Sequence, residues 1–222
     1  MRHGADGVSG KAAPDPQLAL QAARLYVITP DASRDRVLEV ASGAVRGGAD
    51  VVQLRHKMMP RGELLALARE LRVLIRDALL IVNDHVDIAL LSGADGVHLG
   101  PDDLSIASAR RIAGDRLIIG ASASSVEAGR KAVDHGADYI GCGATFATPV
   151  KADKGVIGPD GVAAVARALG PTPVFAVGGI DESNLQQLID RGVRRVCVIR
   201  ALSEAADPEQ ATRRLRAMLS AG

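Results

Sequence analysis

Charged and amide side chains recur in this chain directly after short apolar runs. Gln53-Leu54-Arg55-His56-Lys57 follows Val51-Val52, Asn83-Asp84 follows Leu79 to Val82, and His98 lies within Val97-His98-Leu99-Gly100, ahead of Asp102-Asp103. Ser122, the stretch Thr148-Pro149-Val150-Lys151 and the pair Gly178-Gly179 come later. A guanidinium offers a planar fork and an ammonium a compact charge, so Arg55 and Lys57 beside the Gln53 amide suit a diphosphate. Asp84 and Asp103, if neighbours in space, supply hard oxygen donors. One or two carboxylates with phosphate oxygens and water is the usual Mg²⁺ arrangement. Capping of the next helix is the plainer use of Asp102 or Asp103.

The other polar residues divide between binding and structure. His98 points away from Val97 and Leu99, and either lines a cavity mouth or is a hydrogen-bonded core histidine. The remaining histidines, His56, His85 and His135 among them, read as surface residues, and no pair has the helical spacing of a zinc site. Ser122 is placed to offer its hydroxyl to a phosphate oxygen or to cap a helix. No Gly-x-Ser-x-Gly elbow surrounds it, which disfavours a serine nucleophile. Lys151 is the charge donor of a long loop running through Gly155 and Gly158, the length expected of an active-site cover, while Lys154 reads as solvated. Gly178-Gly179 permits close backbone approach, and Arg200, ending the last predicted strand, would strengthen a phosphate site there.

These clusters need elements that bring them to one place. A phrase recurs at Gly48-Ala49-Asp50, Gly93-Ala94-Asp95 and Gly136-Ala137-Asp138, with a degenerate copy at Gly192-Val193-Arg194-Arg195. Each joins a helix-ending glycine to a β-prone run. Further apolar runs at Leu25 to Ile28, Leu79 to Val82, Leu117 to Ile119 and Val174 to Val177 bring the expected strand count to about eight. Between them, Val37, Leu38, Ala41, Ala44 and Val45 keep helical spacing, as do Leu64, Leu65, Ala68, Leu71 and Ile75. Ser124 with Glu127 is a candidate capping box. Right-handed strand-helix-strand units repeated this often predict an α/β fold, a single (β/α)8 TIM barrel, with every polar cluster on the rim at the strand C-termini. An open doubly wound sheet is the runner-up, but Thr29-Pro30-Asp31 stands where a glycine-rich dinucleotide fingerprint would.

Composition fits that architecture. The 222 residues suit one barrel over residues 17–222, preceded by a loose leader over residues 1–16 that is rich in glycine and proline. Hydrophobic residues make up 47%, yet Trp is absent and the aromatics are Tyr26, Tyr139, Phe146 and Phe175, so the interior is expected to be filled by Val, Ile, Leu and Ala. A formal charge of +1 and the lack of a basic, aromatic-rich stretch argue against nucleic acid. Cys142 and Cys197 lie in predicted strands and read as buried reduced thiols. No apolar stretch approaches the ~20 residues of a membrane helix, and a cytoplasmic protein with small-molecule partners is expected. A homo-oligomer is compatible with the sequence, which does not set the oligomeric state.

Taken in order, Gln-Leu-Arg-x-Lys, Asn-Asp, His-Leu-Gly-x-x-Asp, Thr-x-x-Lys and Gly-Gly-Ile resemble the thiamine-phosphate synthase family from about Tyr26 to Leu202. The resemblance implies an alkyl-transferring enzyme that joins a pyrimidine diphosphate to a thiazole phosphate. It implies that Gln53, Arg55, Lys57, Asn83, Ser122 and Lys151 hold the aminopyrimidine diphosphate, that Asp84 and Asp103 bind Mg²⁺, and that Thr148 to Val150, Gly179, Ile199 and Arg200 seat the thiazole phosphate. His98 is a further substrate-binding candidate. Two positions depart from the family pattern: Val150 replaces a Thr, losing a hydroxyl, and Arg200 replaces a Ser, gaining a charge able to grip phosphate in bidentate fashion. A thiazole tautomerase on the same barrel would need no diphosphate subsite, with His98 as its general base. A non-catalytic binder of phosphate ligands is the reading from outside enzymology.

Overall fold

The computed structural model describes residues 15–147 and 155–221. Eight strands pair in parallel in chain order and close on themselves, β8 bonding back to β1. They are β1 (Leu25–Ile28), β2 (Val51–Leu54), β3 (Leu79–Asn83), β4 (Gly96–Leu99), β5 (Ile118–Ala123), β6 (Tyr139–Cys142), β7 (Val174–Val177) and β8 (Val196–Val198). The helices are α1 (Pro16–Ala22), α2 (Arg34–Arg46), α3 (Arg61–Leu74), α4 (Val86–Ser92), α5 (Ile106–Ala113), α6 (Val126–Asp134), α7 (Gly158–Ala168), α8 (Leu185–Ile189), α9 (Arg200–Ser203) and α10 (Pro208–Ser220). The expected TIM barrel is therefore present. None of the described helices is long and apolar enough to cross a membrane.

Strand alternation sorts the core into two parts. Outward positions such as Val52, Leu54, Val82, Val97 and Ile140 pack against α2, α3 and their fellow helices in one aliphatic annulus. Inward positions form a second cluster that holds Tyr26, Ile28, Val51, Ile81, Tyr139, Phe175 and Cys197, with Leu20 of α1 buried against it. The expectation of an all-aliphatic interior is corrected here, because three of the four aromatic residues fill the lumen. Tyr26 and Phe175 meet edge to face at 5.4 Å between ring centroids, and Tyr139 and Phe175 at 5.8 Å. The reason is volume. Gly96, Gly120 and Gly141 occupy inward positions, and a methyl at Gly120 would overlap the Tyr139 ring. Both cysteines are buried strand residues, as expected.

The recurring Gly-Ala-Asp phrase proves to be a latch at the strand N-termini. The carboxylate of Asp50 accepts the backbone N–H of Leu25, that of Asp95 the N–H of Leu80, and that of Asp138 the N–H of Ile119, at 2.9, 2.7 and 2.7 Å. Each thus ties an even-numbered strand to its odd-numbered predecessor. An arginine completes each latch: Arg216, Arg72 and Arg110, all at 2.6 Å. The degenerate fourth copy has Arg194 and Arg195 in place of the acid. Asp138→Ala strands the Ile119 amide and takes from Arg110 its carboxylate partner, leaving the guanidinium on the Gly114, Leu117 and Gly136 carbonyls, at a cost of about 2–4 kcal/mol. The expected fall in melting temperature is roughly 5–10 °C by calorimetry; a change under one degree would show the latch to be idle.

Several local expectations change. The cap of α6 is Ser125, whose Oγ accepts from Ala128 N at 3.1 Å, so the Ser124–Glu127 box is displaced by one residue. The cap of α5 is Ser105, which releases Asp102 and Asp103 from that role. Pro16, at the end of the expected leader, is the first residue of α1, capped by Asp15. Residues 1–14 lie outside the described part.

Candidate active site

Because all eight strands run the same way, every residue that follows a strand C-terminus stands on one rim. Arg55 and Lys57 follow β2, Asp84 follows β3, and Asp103 lies beyond β4. The side chains of Gln53, His98 and Ser122 point inward from β2, β4 and β5, just below that rim. The cations do not stand alone. Lys57 Nζ pairs with Asp84 Oδ2, and Arg55 pairs with Asp31 Oδ2, while the other oxygen of Asp31 accepts the Lys57 backbone N–H at 2.6 Å. Asp31 therefore orders the segment after β2 from the adjacent strand. It belongs to the Thr29-Pro30-Asp31 stretch, whose only sequence signal is its position after the first strand.

Asp84 is unusual in its backbone. It has φ of 64°, the one positive value among the described residues other than glycine. Aspartate tolerates that left-handed conformation at some cost, and such strain concentrates at functional sites. Its N–H donates to His98 O at 2.9 Å, fixing the turn against β4. The turn aims the carboxyl at Asp103, whose own Oδ2 accepts the Gly100 N–H at 2.8 Å.

The two carboxyls perturb each other in opposite directions. Burial, joined by the adjacent Asp103 carboxyl, holds Asp84 above the ordinary carboxylate range although Lys57 pulls the other way. Asp103 moves down: partial burial opposes this, but hydrogen bonds from Asp84 and from the Gly100 amide, with the Lys57 charge, outweigh it. Among the described residues no group of three or more His, Cys, Asp or Glu is gathered for a metal. Two oxygen-donor side chains with a surplus of negative charge nonetheless fit a hard divalent ion that takes its other ligands from phosphate and water.

Below the rim, a hydrogen-bonded line crosses the lumen. Gln53 Nε2 donates to Tyr26 Oη at 2.6 Å, Tyr26 Oη meets Tyr139 Oη at 2.9 Å, Tyr139 Oη meets His98 Nδ1 at 3.1 Å, and His98 Nε2 meets Ser122 Oγ at 3.0 Å. Gln53 is 1% exposed and its Oε1 is buried without a partner among the described residues. Both readings of His98 hold at once, since it lines the upper lumen and is hydrogen-bonded. Tyr26 and Tyr139 were legible only as strand residues. Their inward direction follows from register, and nothing in their immediate sequence marks it.

The remaining candidates are distributed as follows. Asn83 ends β3, half-buried, in register with His98. Ile199 packs on the inner cluster at the top of β8. Gly178 and Gly179 have φ of 104° and 66°, and a Cβ at Gly179 would come within 2.9 Å of Ala147 O. The close approach these glycines allow is thus to the neighbouring segment after β6, whose Phe146 N–H donates to Gly178 O at 3.0 Å. Arg200 does not end the last strand. It opens α9, two residues beyond β8, with Glu204 at 3.9 Å, because the chain turns into a helix at Ile199. His56 is structural: its ring accepts Met59 N at 3.0 Å and contacts Ala32 O. Thr148, Val150 and Lys151 lie outside the described residues.

Comparison with known proteins adds a family context. A family model described as thiamine monophosphate synthase matches residues 25–202. A thiamine-phosphate synthase of Thermosynechococcus vestitus is 44% identical over 205 residues, covering 91% of this chain and 58% of that protein. One from Gloeobacter violaceus is 42% identical over 200 residues, covering 89% and 58%. One from Roseiflexus sp. is 45% identical over 201 residues, covering 88% and 85%. The chain thus spans little more than half the length of the first two relatives. A solved thiamine phosphate pyrophosphorylase from Pyrococcus furiosus superposes with a TM-score of 0.83 at 38% identity, covering 92% of this chain and 98% of that one. A 3-hexulose-6-phosphate synthase structure, TM-score 0.72 at 20% identity, shares the fold.

Proposed function

The chain belongs to the thiamine monophosphate synthase family, and from that membership we propose that it condenses 4-amino-2-methyl-5-hydroxymethylpyrimidine diphosphate with 4-methyl-5-(2-hydroxyethyl)thiazole phosphate, giving thiamine phosphate and diphosphate. The observation that carries the reading is the meeting of Lys57, Asp84 and Asp103 on one rim, with Arg55 beside them. A tautomerase would have no use for such a cation-and-carboxylate cluster.

In this reading the C–O bond between the pyrimidine methylene and the diphosphate breaks, and the thiazole nitrogen forms the new C–N bond to that methylene. The barrier is charge separation, so the work lies in holding the departing anion. Asp84 and Asp103 would hold Mg²⁺, which when bound supplies positive charge to the leaving diphosphate. With Asp84 engaged in that way, Lys57 is released toward the diphosphate, and Arg55 and Ser122 donate to its oxygens. Gln53 Oε1, buried without a partner among the described residues, would accept from the exocyclic amine of the pyrimidine, which removes the cost of an orphaned carbonyl. Lys151 would add a further cation, and Thr148, Val150, Gly179, Ile199 and Arg200 the thiazole phosphate subsite.

Incubation of the protein with both substrates and Mg²⁺, with assay of released diphosphate, tests the proposal. Release that requires both substrates is expected; no release sinks it. Arg200→Ala is expected to raise KM for the thiazole phosphate about threefold to tenfold, a modest loss for an exposed charge-assisted contact. An equal rise for the pyrimidine substrate would remove Arg200 from the phosphate subsite.

A further inference from the structure

The line Gln53–Tyr26–Tyr139–His98–Ser122 draws one side chain from each of five strands. A network that only satisfies buried polar atoms is closed at both ends. This one is open at both: Gln53 Oε1 has no partner among the described residues, and Ser122 is exposed at the mouth.

Its protons can be ordered in two ways. A phenol has one proton, and a neutral imidazole carries one N–H. When Gln53 donates to Tyr26, Tyr26 donates to Tyr139, and Tyr139 donates to His98 Nδ1. His98 then holds its proton on Nε2 and donates to Ser122, whose own hydroxyl proton is left to face the mouth. Rotation of the Gln53 amide by half a turn presents Oε1 to Tyr26, and every bond reverses. Ser122 then donates inward and offers the mouth only lone pairs. The rings cannot escape the choice by turning to water, since Tyr26 and Tyr139 are each 1% exposed and wedged against Phe175. Burial also holds both phenols well above their ordinary range, so both keep their protons.

We propose that this line couples the two ends of the site: a ligand amine that donates to Gln53 Oε1 and an anionic oxygen that accepts from Ser122 Oγ favour the same proton order, so each strengthens the binding of the other, with Tyr26, Tyr139 and His98 as positioning residues. The chemical identity of the ligand rests on the functional reading above, in which one molecule brings both groups.

The test measures the dissociation constant of inorganic diphosphate, with Mg²⁺, in the absence and presence of saturating 4-amino-2-methylpyrimidine. The wild-type protein is expected to bind diphosphate about fivefold more tightly when the amine is present, at the lower end of ordinary coupling between sites. Tyr26→Phe touches neither probe's anion site and keeps the ring, yet the factor is expected to fall to one; Tyr139→Phe cuts the line elsewhere and must do the same. The second readout is the His98 tautomer from ¹⁵N shifts, assigned by loss of its signals in His98→Gln. The amine is expected to move it toward the Nε2–H form in wild type and not in Tyr26→Phe. A factor of one in wild type, or an unchanged factor in Tyr26→Phe, overturns the proposal. A protein that shows the coupling but releases no diphosphate from the two substrates keeps this inference and loses the synthase reading. One that turns over with no coupling does the opposite.

Discussion

On the proposed synthase reading, Asp84→Asn is expected to lower Mg²⁺-dependent turnover by about two to three orders of magnitude, the several kcal/mol of leaving-group stabilisation lost at about 1.36 kcal/mol per decade. Asparagine is the informative replacement. It tolerates the left-handed φ of 64° that Asp84 adopts, whereas alanine would add backbone strain to the loss of the carboxylate. The stability readout has a definite sign. The folded protein holds this carboxyl above its ordinary range, through burial and Asp103. Ionisation of Asp84 therefore costs folding free energy as pH rises through the unfolded value, and the cost is fully present above the folded one. The Asn variant is relieved of it, so without metal at neutral pH it is expected to melt no lower than wild type. A variant that loses turnover and several degrees together would make Asp84 a structural residue, and one that keeps normal Mg²⁺ dependence would remove it from the metal.

Gly120→Ala acts from inside the barrel. The added methyl would overlap the Tyr139 ring, and both neighbouring rings, Tyr26 and Phe175, are fully buried, so no flexible chain end can yield. Overpacking of a filled core costs about 1–3 kcal/mol. For a chain of this size the melting temperature is expected to drop by roughly 3–10 °C. Displacement of Tyr139 also breaks its contacts with Tyr26 and His98, so on the proposed synthase reading affinity for the pyrimidine substrate is expected to fall. A variant as stable as wild type, with unchanged KM, would show that the lumen has slack the packing does not suggest.

The rim was legible because parallel strands convert sequence position into place. Once apolar runs are read as parallel strands, Arg55, Lys57, Asp84 and Asp103 must share one end, and they do. The partner of each charge was not legible. Lys57 and Arg55 sit opposite Asp84 and Asp31, and such pairing depends on which strands are neighbours and on a left-handed turn that aspartate does not announce. The line through Tyr26 and Tyr139 was hidden for a related reason. Each residue reads locally as a bulky strand former, and only the circular closure brings β1, β2, β4, β5 and β6 around the same space. Caps were misplaced by one residue where two serines compete, as at Ser124 and Ser125, since local pattern does not resolve which hydroxyl meets the helix amide.

The aspartate latches divide the cylinder into tandem quarters of two parallel strands each, three secured in the same way and the fourth, ahead of β8, by other means. Rigidity is thereby supplied from the floor, at the end of the cylinder opposite the candidate site. Sequence drift in the rim loops then carries little penalty for folding, and an engineer could regraft those loops wholesale while leaving Asp50, Asp95 and Asp138 untouched.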